Sequence, residues 1–192
     1  MGGRMDATNV IDGLVAVLTR IGLEHTDHLG KTVTRIAREK AGIIKPGARV
    51  VTVAQEALHV IEARCKEVGA SLVVVGREIE VKRLSQDLRG QRVRVSGAFG
   101  TLDVETLLLG GFQVENVGLA VAALAELRSK GFNVPDRAIV DGIRATRWSA
   151  RLQVVRERPT VLVDGAHNGP AVRALAQSLE ELRLALQTSP TL

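Results

Sequence analysis

The sequence predicts an α/β fold: a mostly parallel sheet covered by helices, an antiparallel ribbon after it, and a closing strand–helix unit. Three observations carry that reading. Apolar runs of strand length alternate with segments of helical periodicity over residues 14–75. Residues 91–108 then change to a period of two around a glycine-bearing turn. From residue 160 onward one short apolar run is followed by one long helical pattern.

Residues 14–21 (LVAVLTRI) form an apolar run suited to a buried strand. The polar cluster GLEHTDHLG follows. Residues 32–47 (TVTRIAREKAGIIKPG) then predict a helix, with Val33, Ile36, Ala37 and Ile44 on one face and Pro46 with Gly47 as its stop. Residues 49–53 (RVVTV) predict the next strand, residues 57–68 a helix closed by Gly69, and residues 71–75 (SLVVV) a third strand. Residues 91–95 and 102–108 alternate on either side of SGAFG, as in a two-stranded antiparallel ribbon. A helix is expected over residues 116–130, with Val117, Val121, Leu124 and Leu127 on one face and Gly131 as its stop; a short one follows over residues 136–144. Weak periodicity over residues 146–159 marks an interdomain connection.

Residues 160–163 predict a strand, DGAHNG a turn, and Pro170 the first turn of a helix, a position proline tolerates well. Val172, Leu175, Leu179, Leu182 and Leu186 make an apolar stripe along that helix. One strand and one helix cannot enclose a core, so the stripe either packs back on the first domain or opens a second one. The second arrangement is the expectation: residues 1–149 as one domain, residues 150–192 as the beginning of another, in a piece of a longer enzyme.

Composition narrows the function. Aromatic residues are only 2% of the chain, so the core is aliphatic. The formal charge of +5 favours an anionic ligand. Without a Lys/Arg block, without tyrosine, and with three scattered Phe and one Trp, a nucleic-acid surface is not expected. One cysteine, Cys65, excludes an internal disulfide and a cysteine-based zinc cluster. The start is too polar for a signal peptide, and no apolar run reaches the ~20 residues that cross a bilayer. A cytoplasmic protein, monomeric and free of membrane, is expected.

Three places could carry chemistry. Glu24, His25, Asp27 and His28 follow the first strand, where ligands of open parallel sheets bind, and could hold Mg²⁺ beside phosphate oxygens; equally, they could cap the next helix or face water. Lys40 falls in the middle of the apolar face of its helix. Burial would lower its pKa and keep its amine reactive as a nucleophile, a base or a carbamate precursor. The alternative is that its stem lies along that face and its charge reaches water. The third place is VLVDGAHNGP, a strand, turn and helix N-terminus that suits a nucleotide; Asp164 could accept ribose hydroxyls and His167 could meet a phosphate or carboxylate. There Asp164 and Asn168 could instead serve as turn and cap residues, and Asn116 as the cap of the helix it precedes.

Taken together, GGRMDATNV, IGLEHTDHLG, IAREKAGIIKPG, GFQVENVGLAVAAL, RWSARLQVV and VLVDGAHN resemble folylpolyglutamate synthase and its dihydrofolate synthase relatives, of the Mur ligase superfamily, over nearly the whole chain. The resemblance implies a partial Mur-ligase-type central domain, then the first unit of a Rossmann-like domain. It implies ATP and Mg²⁺ as cofactors, with folate or dihydropteroate and L-glutamate as substrates. Lys40 matches the family lysine that is carbamylated beside magnesium, and His25 the histidine that ligates it. Asn116 and Arg151 match positions that contact ATP; Asp164 and His167 match nucleotide and substrate contacts. The implied reaction phosphorylates a carboxylate to an acyl phosphate, which the glutamate amine attacks.

The chain departs from the family pattern in several ways. Glu24 stands where the family has Asp, Phe112 where a histidine is common, and Gly169-Pro170 where Pro and His usually follow DGAHN. The Gly-rich phosphate loop and a metal-binding glutamate of the family are missing, so the chain alone is expected to bind ATP poorly and not to turn over. Competing expectations are a cell-wall amino-acid ligase of the same superfamily, against which EKAGIIKPG argues, and a non-catalytic remnant.

Overall fold

The computed structural model describes residue 3, residues 7–23 and residues 30–188. The chain divides into two compact units, the first reaching Ile79 and taking back Leu119–Asn133, the second comprising Glu80–Gly118 and the rest.

The first unit holds a three-stranded parallel sheet in the order β1-β2-β3, formed by β1 (Val15–Val17), β2 (Arg49–Val53) and β3 (Ser71–Val75). β2 is central and reads as a continuous apolar run because both its faces are covered: Val50, Val51 and Val53 are buried. Its one polar interior residue, Thr52, donates its hydroxyl to the Leu18 carbonyl at 2.8 Å, so no polar group is stranded. Helix α1 (Val33–Ala41) starts at Thr32, whose side chain accepts the Arg35 N–H at 3.3 Å. It ends at Gly42, a turn before the proline stop that the sequence predicts. Ile44 is nonetheless fully buried, contributed by the turn after the helix rather than by the helix. Helix α2 (Leu58–Val68) ends as expected at Gly69, which takes the left-handed conformation with φ 64°. Ile36, Ala37 and Ala41 of α1 meet Val60, Ile61 and Cys65 of α2 in one core. The first strand is shorter than expected: Leu18 pairs its amide with the Val51 carbonyl, but ladder geometry stops at Val17, which is exposed.

The second unit opens with an antiparallel meander of three strands, not two: β4 (Glu80–Asp87), β5 (Gly90–Gly97) and β6 (Gly100–Thr106). Charged residues mask the alternation of β4 in the sequence, and a bulge between Arg83 and Ser85 breaks its period. The turn after it is the readable signal. Asp87 accepts the amides of Arg89 and Gly90 at 2.7 and 3.1 Å. β5 follows the predicted alternation, with Val93 and Val95 inside and Arg92 and Arg94 outside. Helix α3 (Gly111–Ser129) begins five residues before the sequence places it; residues up to Gly118 count with the second unit, those from Leu119 with the first. In the first unit its Glu126 pairs with Arg49 at 2.7 Å.

Helix α4 (Asp136–Ala145) lies on β6 with Ile139 and Ile143 buried. Where the sequence shows only a connection, β7 (Gln153–Glu157) forms an antiparallel pair with β8 (Thr160–Val163). Helix α5 (Gly169–Thr188) then follows. Its stripe is partly covered after all. Leu182 is buried with Leu109 and Leu152, and Leu175 joins Leu88, Val154 and Leu162 around them. Val172 and Leu179 of the same stripe stay exposed. The Arg83–Glu181 ion pair, 2.7 Å, ties α5 to β4. Among the described residues no helix is long and apolar enough to cross a membrane.

Candidate functional site

The segment 150–168 brings three of the sequence-predicted site residues into one neighbourhood. Two of its residues bend the chain sharply: Ala150 and Leu152 have φ of 55° and 46°, uncommon for residues with a side chain. The bend turns backbone groups of 150–152 towards the DGAHN turn. The Gly165 amide donates to the Ala150 carbonyl at 2.9 Å. The Leu152 amide donates to Asp164 Oδ2 at 2.7 Å, and the Ala166 amide to Asp164 Oδ1 at 2.7 Å. Asp164 thus fastens two strands of chain together and shapes the turn. A carboxylate offers about four lone-pair directions, so two acceptor positions are left for a ligand.

A methyl group added to Gly165 would lie 3.8 Å from Arg151 Nη1, which places that guanidinium against the turn. Arg151 is exposed and has no hydrogen-bond or ion partner among the described residues. His167 is exposed as well; its Nδ1 lies 2.9 Å from the Gly165 carbonyl, which leaves Nε2 uncommitted among the described residues. At the start of α5, Asn168 acts as the cap, its Oδ1 accepting the Ala171 amide at 2.9 Å and its carbonyl the Val172 amide. Pro170 has no N–H and the Ala171 amide is taken by the cap, while that of Gly169 has no partner among the described residues. The arrangement offers an anion one cation and one amide, and offers hydroxyls a carboxylate.

Asn116 is not a cap. It lies inside α3, exposed, its side-chain amide donating to Gln113 Oε1 at 2.9 Å. Lys40 sits in the last turn of α1 in the first unit, half-buried rather than enclosed with Ile36, Ala37 and Ile44. No described residue pairs with its Nζ. Glu24, His25, Asp27 and His28 lie outside the described residues. Among the described residues no group of three His, Cys, Asp or Glu side chains is placed to hold a metal.

Ala150 and Leu152 are the residues of this neighbourhood that sequence reasoning passed over. Nothing in their side-chain type announces a left-handed backbone, and the carboxylate that holds Leu152 is twelve residues downstream.

Residues 3–124 match the Mur ligase middle domain. The chain is 34% identical over 186 residues to a folylpolyglutamate synthase of Lacticaseibacillus casei, covering 95% of this chain and 44% of that protein. A solved FPGS–AMPPCP–folate complex superposes with a TM-score of 0.88 at 34% identity, covering 95% of this chain and 45% of that one. The folylpolyglutamate synthase of Mycobacterium tuberculosis complexed with ADP and AMPPCP gives 0.85 at 36% identity, covering 95% of this chain and 42% of that one. The chain thus spans less than half the length of the relatives it matches. Strand order, the meander and the DGAHN turn accompany a middle-domain match over most of the residues, and the chain belongs to the Mur ligase family.

Proposed function

We propose that this chain works as part of an ATP-dependent carboxylate–amine ligase that adds L-glutamate to folate or dihydropteroate, a cytoplasmic monomer. The observation that carries the reading is the joining of Arg151, Asp164 and His167 around one helix N-terminus, in a chain similar over nearly its whole length to folylpolyglutamate synthases. ATP supplies the phosphoryl group that converts the substrate carboxylate to an acyl phosphate; the glutamate amine displaces phosphate and forms the amide.

Each residue has a role that its surroundings support. The guanidinium of Arg151 takes phosphate oxygens, for which its planar fork is suited. Asp164 accepts ribose hydroxyls with its two remaining lone-pair directions, and His167 presents Nε2 to a phosphate or carboxylate. Asn116, with its side chain at the surface of α3, is available to the nucleotide as donor and acceptor. Lys40 reacts as the neutral amine with carbon dioxide: a nitrogen–carbon bond forms as one C–O π bond opens, one proton leaves the nitrogen, and the neutral amine becomes an oxygen anion. That carbamate and His25 are the residues that would hold Mg²⁺, which neutralises charge during phosphoryl transfer. Within the ligase we assign residues 1–149 to the central ATP- and Mg²⁺-binding domain and residues 150–192 to the opening of the carboxy-terminal domain.

The test is glutamate ligation by the complete enzyme, with tetrahydrofolate and with a muramyl nucleotide offered in parallel. Ligation to the folate alone is expected; ligation only to the muramyl nucleotide would replace the substrate assignment. Lys40→Ala should lower activity and recover in part with short-chain carboxylates. Full activity in Lys40→Arg would end the carbamate role, because an arginine forms no carbamate.

A further inference from the structure

Two parts of the segment GGRMDATNV pack on the end of α1 in the first unit: Gly3 and the single 3₁₀ turn Ala7–Val10. Gly3 is buried and has φ of 122°, a conformation open to glycine and strained for any side chain. A methyl group there would collide with the Glu39 carbonyl oxygen, come within 2.6 Å of its carbon and lie 3.2 Å from the Lys40 backbone nitrogen. Residue 3 therefore rests on the peptide that joins Glu39 to Lys40, and glycine alone permits the approach. The same Glu39 carbonyl accepts the Gly42 amide at 3.1 Å, one of the bonds that close the helix.

Asn9 makes two further ties to the turn after α1. Its side-chain amide reaches the Gly42 carbonyl at 3.5 Å, and its own carbonyl accepts the Lys45 ammonium at 2.8 Å. The second tie is the stronger, because its donor is charged and both residues are half-buried. The two lysines of EKAGIIKPG thus have different surroundings. Lys45 is committed to a backbone carbonyl, whereas the Lys40 ammonium has no partner among the described residues. Lys40 itself lies between Glu39 and Gly42, two of the residues held.

Helix ends fray, and Lys40 stands in the last turn of its helix. A side chain that works on a bound ion needs its place fixed to about 0.5 Å, which a fraying turn does not give. We propose that Gly3, Asn9 and Lys45 are positioning residues for Lys40: they hold the last turn of α1 so that the side chain of residue 40 keeps one place. The inference rests on the proposed role of Lys40 in the ligase.

Lys45→Met keeps most of the side-chain stem and removes the charged donor; Lys45→Arg restores a donor. In the chain itself, hydrogen exchange at the Gly42 and Ile43 amides, which close α1 on the Glu39 and Lys40 carbonyls, should be about 10-fold faster in Lys45→Met and near native in Lys45→Arg. In the complete enzyme Lys45→Met should lower kcat about 10-fold and leave KM for ATP within about twofold. Made on top of Lys40→Ala, it should cost nothing more, because the residue it positions is gone. Gly3→Ala should repeat this pattern through the other contact. Native exchange rates in Lys45→Met would overturn the inference. An equal loss of kcat with and without Lys40 would also overturn it, showing support of the fold and not of residue 40, and would leave the ligase reading standing. Full activity of Lys40→Ala alone would overturn the role of Lys40 and the inference with it.

Discussion

Asp164→Ala should destabilise the second unit through a hydrogen bond that no contact of the substituted side chain with water replaces. In the native chain the carboxylate accepts the Leu152 amide and the Ala166 amide, each at 2.7 Å. Leu152 is 1% exposed, so its amide loses its partner where water does not reach; a buried donor left so costs about 1–3 kcal/mol. The Ala166 amide is only half-buried and can turn to solvent, for a loss of about 0.5–1 kcal/mol. The sum is about 1.5–4 kcal/mol. Asp164→Asn keeps the shape and one acceptor oxygen but points an NH₂ at one of the two amides, and about half that loss is expected. Urea unfolding followed by circular dichroism gives the total. Hydrogen exchange at the Leu152 amide gives the local part, where about 3 kcal/mol corresponds to exchange roughly 100-fold faster. An unchanged urea midpoint in Asp164→Ala, with Leu152 exchange within threefold of native, would refute the reasoning. The comparison also separates two roles: a residue needed only for a nucleotide would lose binding in Asp164→Asn at native stability.

Ala150→Gly should raise stability by about 0.5–1 kcal/mol in the same urea experiment, since glycine relieves the strain of φ 55° and pays back part of it as unfolded-state entropy. Gly110→Ala should cost about 2–4 kcal/mol: φ is +96°, and the new methyl would sit 2.8 Å from both Phe112 Cε1 and Ser178 Oγ, the latter on a residue only 2% exposed. Cys65 is 3% exposed, and its burial pushes the thiol above its ordinary value, so labelling by a thiol reagent at neutral pH should wait for unfolding of the first unit; prompt labelling would contradict the packing of α2. Asp103 is held below the usual carboxylate range by its hydrogen bonds to Arg94. Its contribution is therefore present above the ordinary carboxylate range and lost as pH falls through the depressed folded value. Arg94→Ala should move the Asp103 carboxyl titration upward in a ¹³C NMR experiment.

Several elements could be read residue by residue. β2 and β3 occupy the predicted 49–53 and 71–75, because valine runs bounded by glycine and charge admit little else. α2 ends at the glycine that the sequence marks, a residue whose left-handed turn costs nothing. β4 escaped notice because its ladder rests on a neighbour: Glu80, Lys82 and Arg83 pair with β5 whatever their polarity, and a bulge breaks the period that would have revealed them. The start of α3 escaped for a related reason. Gly111, a poor helix former, lies inside the helix, and the Gln113 amide donates to the Gly110 carbonyl in a first turn that propensity alone disfavours.

The sequence by itself determined the α/β class, the apolar face of α1, the glycine stop of α2, and the family through motifs spread along the chain. All of these are written in residues a few positions apart, where the periods of helix and strand act. Tertiary structure alone decided what depends on partners distant in sequence. It joined Asp164 to the Leu152 amide, left Arg151 unneutralised against the DGAHN turn, and half-uncovered Lys40, a residue that its helical face alone would have enclosed. Burial, charge compensation and backbone strain are sums over neighbours in space, and a chain read in order does not name those neighbours.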